Sequence, residues 1–192
     1  MGTAVELFME TLEWFKDHYD EHEYWNESDV ACALWDRMRR RNAELGFPFS
    51  IRSQFRPTRG NRGDIVDLAV LDPAGNVLVV IEVKYEPSPI RKGVIQKHGN
   101  CGHLLPAHKP VSVSRTDIEK VIECVDAGNA RLGFAVFIDE GSLHHSHVLA
   151  RQIPDGSMWH RLGRTAVKGH DVSILVYRYP ITPESGPIPC DS

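Results

Sequence analysis

The sequence predicts an α/β domain with a central mixed β-sheet of about four to six strands flanked by helices. Three observations predict it. Residues 63–84 read as a hairpin, two apolar strands joined by a dense turn signal. Residues 114–139 read as a helix followed by a buried strand, which with the hairpin makes a strand–helix–strand crossover. Residues 3–24 and 27–45 repeat apolar residues at helical spacing. A chain of 192 residues with 42% hydrophobic content can bury one good core, so one domain is expected.

Taken in order, Val5, Phe8, Leu12, Phe15 and Tyr19 mark an N-terminal amphipathic helix within residues 1–25. It is expected to pack on the domain or on a second subunit. The main domain is placed at residues 26–179. Its first helix starts at Asn26, a suitable N-cap with Asp29 three residues on, and ends at Gly46 and Pro48. Val30, Ala31, Leu34, Trp35, Met38 and Leu45 form its buried face, and Glu27 lies on the same side. Residues 49–55 read as a first strand. Val and Ile runs flank Asp72-Pro73-Ala74-Gly75-Asn76, a turn by composition. Ser114, with Asp117, opens a helix to Ala127 that Gly128 ends. Leu132–Asp139, Val148–Ile153 and Val172–Tyr179 read as strands. Residues 180–192, with four prolines, read as a disordered tail.

The hairpin carries the chemistry. Folding the chain about Ala74 sets residues near 67 opposite residues near 82, with Cβ atoms on one face roughly 5 Å apart. Period-2 alternation then groups Asp67, Ala69 and Leu71 with Leu78, Val80, Glu82 and Lys84, and Val66, Leu68 and Val70 with Val77, Val79, Ile81 and Val83. Asp67, Glu82 and Lys84 should therefore meet. Two adjacent carboxylates repel, and one pKa rises unless a cation sits with them. Such hard oxygen donors suit a divalent cation like magnesium. A bland alternative makes Glu82 and Lys84 the solvent face of an edge strand, but the near-continuous apolar runs favour a central strand covered on both sides.

Asp67 followed by Glu82-Val83-Lys84 resembles the PD-(D/E)XK nuclease superfamily, over roughly residues 26 to 140. Val66 stands where many members have Pro. The resemblance implies a restriction-endonuclease-like fold and a magnesium-dependent endonuclease, with manganese as substitute, acting on DNA in preference to RNA. It implies metal binding by Asp67, Glu82 and the Val83 carbonyl. It also implies that Lys84 orients the attacking water and stabilises charge at phosphorus. Members also draw a carboxylate from the preceding helix. Glu27 is the better candidate there for catalysis or metal binding, and Glu23 a weaker one; the alternative for Glu27 is simple complementation of the helix dipole. Gln96 and Lys97 match loosely the polar residues of the helix that follows the E-x-K strand.

Charge is distributed unevenly. Residues 1–36 carry −9, residues 37–62 carry +7 and the remainder −2. The basic block leads into Asp67, and arginine is the preferred phosphate ligand. Arg52, Arg56, Arg59 and Arg62, with Arg91 and Lys92, are therefore expected to contact nucleic acid; Arg39–Arg41 fit a solvated helix end as well. His144, His145 and His147, or Cys101 with His103, match no standard zinc spacing. The four cysteines show no paired spacing and read as reduced thiols in a cytoplasmic protein. No apolar run is long enough for a membrane span, and the start, with Glu6, Glu10 and Glu13, does not read as a secretory signal. A homodimer would suit cleavage of both strands of a duplex. The rival expectations are a catalytically inactive nucleic-acid-binding module and a protein-interaction module of the same fold.

Overall fold

A computed structural model describes residues 3–57, 65–88, 117–142, 157–164 and 171–180. Helix α1 spans Ala4–Asp17, with Thr3 and Glu6 in a reciprocal capping box. A short 3-10 turn, Tyr19–Glu21, follows, so the helix expected over 3–24 is shorter and ends in this tighter turn. Helix α2 spans Glu27–Glu44. Its capping box pairs Asn26 with Asp29, and Gly46, at φ 63°, follows its end.

Six strands form one sheet among the described residues: β1 (Ser50–Phe55), β2 (Val66–Leu71), β3 (Val77–Glu86), β4 (Leu132–Glu140), β5 (Ser157–Arg164) and β6 (Asp171–Tyr179). The order is β1-β2-β3-β4-β6-β5. Only β3 and β4 pair in parallel; every other pairing is antiparallel. Helix α3, Asp117–Asp126, lies on the connection between the two parallel strands, as the crossover requires. Its expected start at Ser114 falls outside the described residues, as do the proposed strand Val148–Ile153 and the tail from residue 181. Strand β5 was not expected. Its sequence, Ser157-Met-Trp-His-Arg-Leu-Gly-Arg164, lacks the apolar run that marks a buried strand, and it pairs with β6 alone at the sheet's edge.

The two faces of the sheet have different covers. On one, Leu7, Phe8, Leu12 and Phe15 of α1 and Val30, Leu34 and Met38 of α2 pack against Val79, Ile81 and Val83 of β3 and Phe134, Val136 and Ile138 of β4. The Phe8 and Phe134 rings lie 4.6 Å apart. Helix α1 thus packs on the domain's own core. Each such fully buried side chain stabilises by roughly 1.5–3 kcal/mol. On the other face, Val66, Ala69 and Val80 pack with Cys124 of α3 and with Ala130. Here Gly133 of β4 is required by close approach. A Cβ at this position would collide with the Val121 side chain of α3. The missing side chain lets α3 sit tightly on the central strands, and this closeness positions the site.

The hairpin register is the expected one. Leu68 pairs with Ile81, Ala69 with Val80 and Val70 with Val79. Gly75, at φ 85°, donates its N–H to the Asp72 carbonyl and closes the turn. The expected face assignment fails at both ends, however. A bulge between Val70 and Leu71 brings Leu71 opposite Val77. In consequence Val77 packs with the α3 cluster and Leu78 with the α1–α2 cluster, the reverse of strict alternation. Val66 also joins the α3 cluster, close to where Gln54 of β1 departs from strand geometry at φ 47°. Among the described residues no helix is long and apolar enough to cross a membrane.

Candidate functional site

Asp67 lies one position beyond the last regular pair of the β2–β3 ladder, where the two strands stop exchanging backbone hydrogen bonds. Its carboxylate takes over that role. Oδ2 accepts from the Val83 backbone N–H at 2.8 Å, and Oδ1 accepts from the Gln54 amide at 3.0 Å. Asp67 thereby ties β1, β2 and β3 together at the point where β2 and β3 part.

Glu82 follows on the central strand and is only 3% exposed. Burial first, and then the nearby Asp67 charge, push its carboxyl from the ordinary 4.5 up to about 8, although Lys120 pulls the other way. Lys120 is supplied by α3. Its Nζ lies 2.5 Å from Glu82 Oε1. This close approach makes Lys120 the partner of the buried oxygen, through both charge and hydrogen bonding.

Lys84, two residues further along β3, has a different partner. Its Nζ donates to Glu27 Oε2 at 2.6 Å and lies 3.9 Å from Asp117 Oδ2. Burial alone would lower the Lys84 pKa. The Glu27 hydrogen bond and the charges of Asp117, Glu27 and Asp67 outweigh it and raise the pKa instead, so the ammonium form is secure. Glu27 is placed by the first turn of α2, and the segment before it is tied to β3 because the Tyr85 hydroxyl donates to the Tyr24 carbonyl. Burial raises the Glu27 pKa, Lys84 partly opposes this, and Asp67 and Asp117 add to it. Asp117 is raised likewise by burial, with Lys84 and Lys120 opposing.

The structure brings Asp67, Glu82, Val83, Lys84 and Glu27 into one neighbourhood and places Glu27 against Lys84. Three residues at the site were missed: Gln54, Asp117 and Lys120. Asp117 read only as part of a helix start. A signal did exist, for Asp117 and Lys120 are spaced i, i+3 and Lys120 precedes the buried Val121 on a crossover helix. Arg52 and Arg56 are exposed on and just beyond β1. Arg59, Arg62, Arg91, Lys92, Gln96, Lys97, Cys101, His103 and the cluster of His144, His145 and His147 all lie outside the described residues.

Among the described residues no set of three or more His, Cys, Asp and Glu side chains converges as a ready metal cage. The carboxylates of Asp67 and Glu82 lie close enough for the charge of one to raise the pKa of the other. Ionised, the four carboxylates Glu27, Asp67, Glu82 and Asp117 outnumber the two ammonium groups Lys84 and Lys120; burial first, and the Asp67 charge second, raise the Glu82 pKa. Glu27, bound to Lys84, is less free to join. No protein-family model, curated protein or solved structure matches the chain.

Proposed function

We propose that the protein is a metal-dependent nuclease of PD-(D/E)XK type that hydrolyses phosphodiester bonds in DNA. The observation that carries the reading is the excess of carboxylate over ammonium where β2 and β3 diverge, with Glu82 buried and Lys84 held by Glu27. Asp67 and Glu82, with the Val83 carbonyl, would hold magnesium or manganese, and Glu27 would assist. The bound metal supplies a lowered water pKa and offsets charge on the phosphoryl oxygens. The chain's own residues do the rest. Lys84, kept protonated by Glu27, orients the attacking water and faces the developing negative charge. Gln54 and the Val83 N–H hold the Asp67 carboxylate in one orientation. Arg52 and Arg56 offer bidentate contacts to the substrate backbone. Two such sites in a homodimer would serve both strands of a duplex.

A second reading is favoured by one observation. Both lysines already face carboxylates, as they would in a domain that kept the fold and binds nucleic acid or protein without cutting. The two readings separate when supercoiled plasmid, linear duplex and single strands are incubated with magnesium, manganese or EDTA. Metal-dependent cleavage that Lys84→Ala and Asp67→Ala both abolish supports the nuclease. Retarded mobility that survives EDTA, with no cleavage under any metal, supports the binding module.

A further inference from the structure

We propose that Lys120 is a built-in counter-ion that occupies the cation position at Glu82, and that a divalent metal must displace it, so that Lys120 sets the metal requirement of the site. The proposal rests on the nuclease reading only for the use made of the metal.

Four observations converge on it. Glu82 Oε1 is buried, and Lys120 Nζ, 2.5 Å away, is the cation that faces it. The place beside this oxygen is therefore already a cation position, which a divalent ion fills only by moving the ammonium. Lys84 cannot serve as the cation for Glu82, because its Nζ is committed to Glu27 at 2.6 Å. The backbone of α3 is fixed, since Val121, the next residue, is packed into the space left by Gly133. Displacement is thus confined to the Lys120 side chain, a flexible four-carbon stem with a compact, well-hydrated charge. Finally, the released ammonium has somewhere to go. Asp117 sits one turn back on the same helix, already feels the Lys120 charge and has no closer ammonium than Lys84 at 3.9 Å among the described residues.

A merely structural ion pair between Lys120 and Glu82 would not respond to metal, and this separates the two accounts. The direct test is amine acetylation of the unmodified protein, read by mass spectrometry residue by residue, in EDTA and in saturating magnesium or calcium. Lys120 labelling is expected to rise several-fold with metal, while Lys16, paired with Glu13 on α1, stays constant; Asp67→Asn should abolish the rise. A Lys120 rate that is unchanged by metal, or that falls, overturns the proposal. As a second measurement, Lys120→Gln should lower the metal concentration that half-saturates binding several-fold, and an unchanged concentration counts against displacement. Cleavage assays on the same samples keep the two ideas apart. Metal-dependent cleavage with an inert Lys120 leaves the nuclease standing and removes the exchange. A labelling rise with no cleavage of any substrate leaves the exchange standing and removes the nuclease.

Discussion

Glu82 makes a quantitative prediction about stability. Its carboxyl has a pKa of about 8 in the folded protein against an ordinary 4.5. A carboxyl raised on folding binds its proton more tightly in the native state. Its stabilising contribution is therefore full below pH 4.5 and is lost as pH rises through 8. At about 1.4 kcal/mol per tenfold change in proton affinity, the whole effect is on the order of 5 kcal/mol. That is a large share of the 5–15 kcal/mol typical of a domain. Glu82→Gln keeps the shape and an acceptor for Lys120 but removes the titration. Metal-free wild type and the variant should be unfolded in urea at pH 5 and at pH 9. Wild type is expected to lose on the order of 3–5 kcal/mol more than the variant between those pH values. Saturating magnesium at pH 9 should restore much of that loss in wild type and little of it in the variant. Equal pH slopes for the two proteins would refute the claim that burial, with the Asp67 charge, raises the Glu82 carboxyl.

Other perturbations have expected outcomes of their own. Lys84→Ala should lower metal-dependent cleavage by about 100-fold or more, and should also lower the urea midpoint in metal-free buffer because Glu27 and Asp117 lose their ammonium, as read in parallel kinetic and unfolding assays. Gly133→Ala should destabilise by about 1–3 kcal/mol, because the new methyl meets Val121; a neutral result would mean that α3 does not press on β4. Asn26→Ala removes half of the α2 capping box and should lower stability by about 1 kcal/mol, measurable in urea. Replacing Arg52 and Arg56 together by Gln should weaken nucleic-acid binding for all sequences alike and reduce the salt slope of log affinity by up to about 2; a slope equal to wild type would take both arginines off the phosphate path.

Much of the fold was legible because the signals were local. The Asp72–Asn76 turn set the register of the hairpin, and the pairing of Leu68 with Ile81 follows from counting residues about that turn. The Asn26–Asp29 box marked the start of α2 one residue before Glu27. The bulge between Val70 and Leu71 was not legible, since nothing in two apolar runs says where one strand carries an extra residue, and it exchanged the faces of Val77 and Leu78. Strand β5 was missed because its pairing to β6 is an edge contact with no apolar run to announce it. At the site, Asp67, Glu82 and Lys84 could be read from one hairpin. Gln54 enters through strand pairing, and Asp117 and Lys120 enter through the packing of α3 over Gly133. Each of those contacts is long-range, and its chemistry shows only when the elements are in place.

The central claim is that the carboxylates and lysine at the divergence of β2 and β3 cut phosphodiester bonds with a divalent metal. Its most direct measurement is the conversion of supercoiled plasmid to nicked or linear product in manganese, by wild type beside Asp67→Asn. Cleavage by wild type that EDTA stops and that Asp67→Asn lacks is the predicted result. Equal cleavage by both proteins would place the activity elsewhere. Intact plasmid, duplex and single strands after incubation with wild type in either metal would contradict the account.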